Sequence, residues 1–275
     1  MYSLVVKSLF LKAIRITAIR VRDSLERYKP SLLAFYFSNR EAVKHSLASE
    51  SHLGEDLYEF YNFKFIWLAP QWLKKHRRYF STKQRGFGEK PFHSAWQEVF
   101  LKFEPKKVLE IGVYRGQVIS LWQLIAQRTA MDIEVYGISP LQEIGDSVSK
   151  YVKIDYESDI ENNFNQFNLV APNLIKAFST DFTAREFIES KEWDLIYIDG
   201  SHDFDVVLQD FRLALANLKN HGVLCFDDSS LYLDFEIKGI FKGHPGPSRV
   251  VREFAMKEMK HLMTVGHNNF FVKVI

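Results

Sequence analysis

Cysteine is almost absent: one residue, Cys225, stands in a chain of 275. An internal disulfide is therefore excluded, and with it the small secreted folds that depend on a disulfide framework. Cys225 lies in a predicted strand, where a buried structural thiol is expected, compatible with a reducing compartment. No apolar run is long enough to span a bilayer and no cleavable signal pattern opens the chain. A cytoplasmic protein is the expectation. Internal repeats and low-complexity tracts are missing too. The length suits one large domain, or a domain with an extension.

Charge of one sign is lacking only in the total. The net charge of +2 hides a basic first part, with 16 Lys/Arg against 7 Asp/Glu over residues 1–88. The remainder is acidic, with 20 against 27. Two regions with different tasks are expected, a helical basic region over 1–88 and an α/β domain over 89–275. Residues 3–27 read as a basic amphipathic helix. Such a helix either packs its apolar face on the rest of the protein or lies at an anionic membrane surface, which makes residues 1–28 the candidate for peripheral contact with an inner membrane face. Residues 40–78 read as helical and aromatic-rich, and the short basic run Lys74–Arg78 as a solvated helix end. The polar stretch Ser81–Lys90 is the candidate boundary.

From Pro91 onward, strands and helices alternate. Strands are predicted at Lys107–Ile111, Glu134–Ile138, Leu174–Ala177, Asp194–Ile198 and Val223–Asp227. Helices are predicted at Gln117–Gln127, Thr183–Glu189 and Asp203–Leu218. This alternation implies βαβ units and a mostly parallel sheet with helices on both faces. The end of the chain, His261–Gly266 and Asn268–Val274, reads as an antiparallel hairpin.

In such a sheet ligands bind at the carboxyl ends of the strands. Two of those ends carry acid: Asp199-Gly200-Ser201-His202 after one apolar run, and Asp227-Asp228 after the next. Three carboxylates and an imidazole in one pocket suit a hard divalent cation and proton transfer. Where the first strand meets its helix stands Val108-Leu109-Glu110-Ile111-Gly112-Val113-Tyr114-Arg115-Gly116. Its two glycines allow close approach of a ligand to the backbone, beside free N–H groups of a helix start. It is not the G-x-G-x-x-G of a dinucleotide loop, which argues against a nicotinamide-dependent oxidoreductase.

That loop resembles motif I of the class I S-adenosylmethionine-dependent methyltransferases, a resemblance running from Pro91 to Ile275. The pair of aspartate sites with His202 resembles more narrowly the macrocin-type, metal-dependent sugar O-methyltransferases; the catechol-type enzymes place a lysine near their metal. The resemblance implies a Rossmann-like fold and an O-methyltransferase acting on a sugar or glycoconjugate hydroxyl, small-molecule or lipid-linked. It implies Mg²⁺ held by Asp199, Asp227 and Asp228, and His202 as general base. Glu110, Gly112, Tyr114, Gly116, Ser139, Asp181 and Asp199 would face the cofactor. Ser139 departs from the pattern, since the second strand of these enzymes ends on an acidic residue that holds the ribose. A non-catalytic scaffold with the same fold is the alternative. Nucleic acid is not expected as a partner: the site is acidic and no N/D-P-P-Y/F motif is present. Two further segments are candidates around the site, Gly86–Trp96 as a lid and Gly243–Ser248, with His244, as a substrate loop. Oligomeric state stays open.

Overall fold

Five short segments rich in β-branched and aromatic residues make the parallel part of one sheet. They are β1 (Lys107–Ile111), β2 (Glu134–Ser139), β3 (Asn173–Lys176), β4 (Trp193–Ile198) and β5 (Leu218–Phe226). The hairpin strands β6 (Lys260–Val265) and β7 (Asn268–Val272) add antiparallel to β5. The order is β3-β2-β1-β4-β5-β7-β6. The computed structural model describes residues 55–274, so the segments expected over 3–27 and the first part of 40–78 lie outside the described residues.

Between the strands run α4 (Gln117–Thr129), α5 (Tyr156–Asn165), α6 (Phe182–Glu189) and α7 (Phe204–Asn217). Ahead of the sheet lie α1 (Tyr58–Phe63), α2 (Gln71–Phe80) and α3 (Lys90–Phe103). Strand residues alternate between two buried faces, as a parallel sheet covered on both sides requires. Leu109, Ile111, Ile196, Ile198, Leu224 and Phe226 join Phe211 of α7 in one core. On the opposite face Trp96 of α3 meets Trp122, Tyr197 and Phe270 at ring distances of 5.1, 5.2 and 5.0 Å. Cys225 is fully buried, as expected.

Among the described residues the predicted strands, and the helices predicted between them, form with shifted ends. β5 begins at Leu218 rather than Val223, because Leu218 already pairs with Trp193 across a register irregularity. The helix expected through 78 breaks before Pro70: Ala69 is extended (ψ 138°), as a residue preceding proline tends to be.

The described residues form one compact unit, with 55–88 packed together with the sheet. Tyr61 Oη donates to Met263 Sδ at 3.4 Å and Leu57 N–H to Thr264 O at 2.9 Å, tying the first helices to β6. The lid expected over Gly86–Trp96 is a short loop followed by the first turns of α3, in which Phe92 through Trp96 are buried. The loop expected over Gly243–Ser248 turns helical at once, with Pro245 at the first position of α8 (Pro245–Val250), where a missing N–H costs nothing. Among the described residues no helix is long and apolar enough to cross a membrane.

Candidate active site

The carboxyl ends of β1, β2, β4 and β5 open into a cavity of about 810 Å³. Its volume is within the range of about 300–1,000 Å³ usual for ligand pockets. The glycine loop forms one wall. Gly112 (φ +104°) and Gly116 (φ +76°) occupy the left-handed region, and Gly116 caps α4. A Cβ on Gly112 would stand 2.0 Å from the carbonyl oxygen of Asp199, so only glycine lets β1 and β4 end this close together. Arg115 pins the loop from below, giving two 2.7 Å hydrogen bonds to Asp159 and a third of 2.7 Å to Lys83 O. Gly86 and Gly88 give room to the Gln117 amide, whose Oε1 accepts from Gly88 N–H at 3.3 Å.

Glu110, Gly112, Tyr114, Ser139 and Asp199 all line the cavity. Burial pushes Glu110 up to about 8, and its Oε2 has no partner, so it offers a buried acceptor or a proton to whatever fills the space. Ser139 is half-buried and its Oγ accepts from Leu141 N–H at 3.3 Å. Asp181 is not in the lining: it is exposed before α6, and its Oδ2 turns back to accept from Phe178 N–H at 2.9 Å. A helix start behind an exposed turn explains that aspartate without a ligand.

At the acidic end the aspartates are crowded. Burial, then the charge of Asp227 and of Glu110, raises Asp199 well above the usual carboxylate range. Asp227 is raised by burial and by Asp228. A side-chain hydrogen bond links Asp199 and Asp227. The sets of side chains close enough to share an ion differ from the three aspartates expected. Asp227, Asp228 and His267 form one; His202, Asp228 and His244 form the other. Asp199 belongs to neither, because its carboxyl bonds Asp227 instead. Three imidazoles surround Asp228: His202 Nε2 at 3.1 Å, His267 Nε2 at 3.6 Å and His244 Nε2 at 3.7 Å. Asp228 reaches them from a left-handed backbone (φ 49°) held by His244 N–H donating to its carbonyl at 2.8 Å. Such a strained non-glycine residue is the sort found at functional sites. The crowded acids and ring nitrogens fit a divalent cation, whose charge would offset the burial and the repulsion that raise Asp199 and Asp227.

His202 is held from behind. Asp146 Oδ2 accepts from both its backbone N–H and its Nδ1–H, each at 2.7 Å. The Nδ1 proton is thereby assigned and Nε2 is turned toward Asp228. Burial alone would lower the imidazole, yet its bonds to Asp228 and Asp146 leave it raised. Asp146 itself sits well below the usual carboxylate range: the bonds from Ser149 and His202 overcome its burial. Asp146 and His267 were not expected from the sequence. Asp146 lies in an irregular loop 56 residues from its partner, where no local pattern marks it. His267 was hidden as a hairpin turn.

Comparison with known proteins agrees with this architecture. Residues 109–229 match the family model for a methyltransferase domain, from β1 to just past the acidic end of β5. The fold is that of the class I methyltransferases. The chain is similar to SAH-bound methyltransferase PaMTH1 of Podospora anserina, at 15% identity and a TM-score of 0.52, covering 75% of this chain and 89% of that one. It is also similar to an O-methyltransferase of Bacillus cereus in complex with SAH, at 14% identity and a TM-score of 0.52, covering 78% and 97%. An uncharacterized protein of Acanthamoeba polyphaga mimivirus is 27% identical over 128 residues, 45% of this chain. This chain spans about half the length of that relative, 52%.

Proposed function

We propose that this methyltransferase-fold protein moves a methyl group from S-adenosylmethionine to a hydroxyl of a sugar or glycoconjugate, with a divalent cation in the acidic end of the site. One observation carries the reading: a single cavity joins the glycine loop to the Asp146–His202 pair and the Asp228 cluster. Cofactor and acceptor would meet inside it, and fixed placement is most of what methyl transfer requires. When bound, the cofactor supplies an electrophilic methyl sulfonium, and the cation supplies charge that acidifies the acceptor hydroxyl. His202 Nε2 takes the hydroxyl proton while Asp146 keeps the ring in its tautomer. The acceptor oxygen held there would take the methyl group as its bond to sulfur is lost, which would leave the cofactor as a neutral thioether. Phe241, partly exposed with its ring 5.2 Å from His267 and 5.3 Å from His244, offers an apolar face to a sugar ring beside the reacting oxygen.

Calorimetric titration of S-adenosylhomocysteine into the full chain, with Mg²⁺ and again with EDTA, tests the cofactor assignment. Micromolar binding is expected in both buffers. No binding in either would leave a scaffold as the better account, in keeping with the serine at 139. In the same titration Gly112→Ala is expected to abolish measurable binding, since the added methyl must push apart the ends of β1 and β4. Wild-type affinity in that variant would remove the loop from the cofactor site.

A further inference from the structure

We infer that the acidic end of the site is a mixed imidazole–carboxylate centre for a borderline first-row cation of the Zn²⁺ or Co²⁺ kind, with His267 as its nitrogen ligand. This deepens the proposal above, because it concerns the cation of that same site. Mg²⁺ is expected from three aspartates alone; it prefers oxygen donors and keeps several waters. The folded arrangement differs. Asp199 turns to Asp227, and its place beside Asp227 and Asp228 is taken by a ring nitrogen. His267 Nε2 lies 3.4 Å from Asp227 Oδ1 and 3.6 Å from Asp228 Oδ1. Those separations are close to the edge of a tetrahedron with metal–ligand bonds of about 2.0–2.1 Å, roughly 3.3 Å. Imidazole is a donor that such cations take readily and Mg²⁺ does not.

The surroundings hold this donor set as a site rather than a chance cluster. His267 is only 11% exposed at its side chain. Its ring is clamped edge-to-face against Phe92 at 4.7 Å and packs against Phe241 on another side, which fixes its direction. Its carbonyl accepts from Ser229 N–H at 2.9 Å, locking the hairpin turn to the residue that follows Asp228. Asn268 Nδ2 donates to Asp227 Oδ1 at 2.7 Å and so orients the neighbouring carboxylate, as outer partners of metal ligands commonly do. His202 is already committed to Asp146, which keeps the base and the nitrogen ligand as separate side chains on opposite oxygens of Asp228.

The experiment uses the full chain after EDTA treatment and dialysis, titrated with CoCl₂ by visible absorption and with ZnCl₂ and MgCl₂ by calorimetry. His267→Ala and His267→Asn are compared with wild type; the asparagine keeps the size and an oxygen donor if alanine disturbs the turn. Both variants are expected to lose at least about tenfold in Co²⁺ and Zn²⁺ affinity, the lower edge of what loss of even an outer partner causes. The Co²⁺ ligand-field bands weaken with them, while Mg²⁺ affinity changes little. Unchanged Co²⁺ and Zn²⁺ binding in both variants, or an equal loss for Mg²⁺, overturns the assignment. S-adenosylhomocysteine titrated in EDTA separates the two readings. Cofactor binding without the metal effect removes His267 alone, and the metal effect without cofactor binding removes the methyl-transfer reading alone.

Discussion

His202→Ala is expected to lower kcat by about 10²- to 10⁴-fold, the usual contribution of a positioned base, while the affinity for S-adenosylhomocysteine stays within a small factor. The asymmetry follows from position. His202 follows β4 and points Nε2 at Asp228, whereas the glycine loop that would hold the cofactor follows β1. Asp146→Asn gives the sharper result. The carboxylate uses both oxygens, Oδ2 for His202 and Oδ1 for Ser149, whereas asparagine has a single accepting atom and no charge, so one set of bonds is lost and the ring loses its fixed tautomer and direction. A fall in kcat of roughly tenfold to a hundredfold is expected, the range seen when an imidazole loses its orienting partner. Because Asp146 would act only through His202, the double variant should be no slower than His202→Ala by itself. Rates from single-turnover assays decide the matter. Additive losses would mean that Asp146 has a separate role, and a fully active His202→Ala would remove the imidazole from the chemistry.

The same residues show how far the sequence could be read. Apolar runs such as Trp193–Ile198 made the parallel strands legible, because a sheet buried on both faces needs continuous apolar residues. Their order placed Gly112, Asp199, His202, Asp227 and Asp228 around one space without any knowledge of contacts. What stayed hidden depended on rotamers or on long-range pairing. Asp199 and Asp227 were rightly neighbours, but whether two crowded acids take an ion or share a proton is a matter of desolvation that spacing does not carry. His267 was within reach of argument: β7 runs antiparallel to β5, so the turn before it must lie beside Asp227. Asp146 was not, since nothing in its loop marks it before the fold brings it to His202. The segment 86–96 misled because glycines suggested a hinge, while Phe92 and Trp96 had already committed the following turns to the core.

Asp210 carries the second large effect, on stability rather than turnover. It lies on α7 with no exposed surface; Oδ2 accepts from Ser179 Oγ at 3.1 Å and Oδ1 has no partner. Burial raises it to about 7, against the bond from Ser179, which lowers it. With the folded value above the unfolded one, the folded state holds the proton longer. Stability is therefore lost as pH rises from about 4 toward 7, at about 1.4 kcal/mol per unit, on the order of 4 kcal/mol in full. Asp210→Asn removes that dependence while still accepting from Ser179, at the cost of a buried amide N–H, about 1–3 kcal/mol. The variant should thus be neutral or less stable than wild type near pH 4.5 and more stable by roughly 2 kcal/mol near pH 8. That gap corresponds to a rise in melting temperature of several degrees for a chain of this size. Calorimetric melts at the two pH values test it, and equal shifts at both would show that Asp210 is not protonated in the fold. Ser179, the partner of this costly carboxyl, lines the cavity just after β3. A buried acid that destabilises the fold at neutral pH and holds a cavity residue in place fits a site where stability is given up for ligand placement.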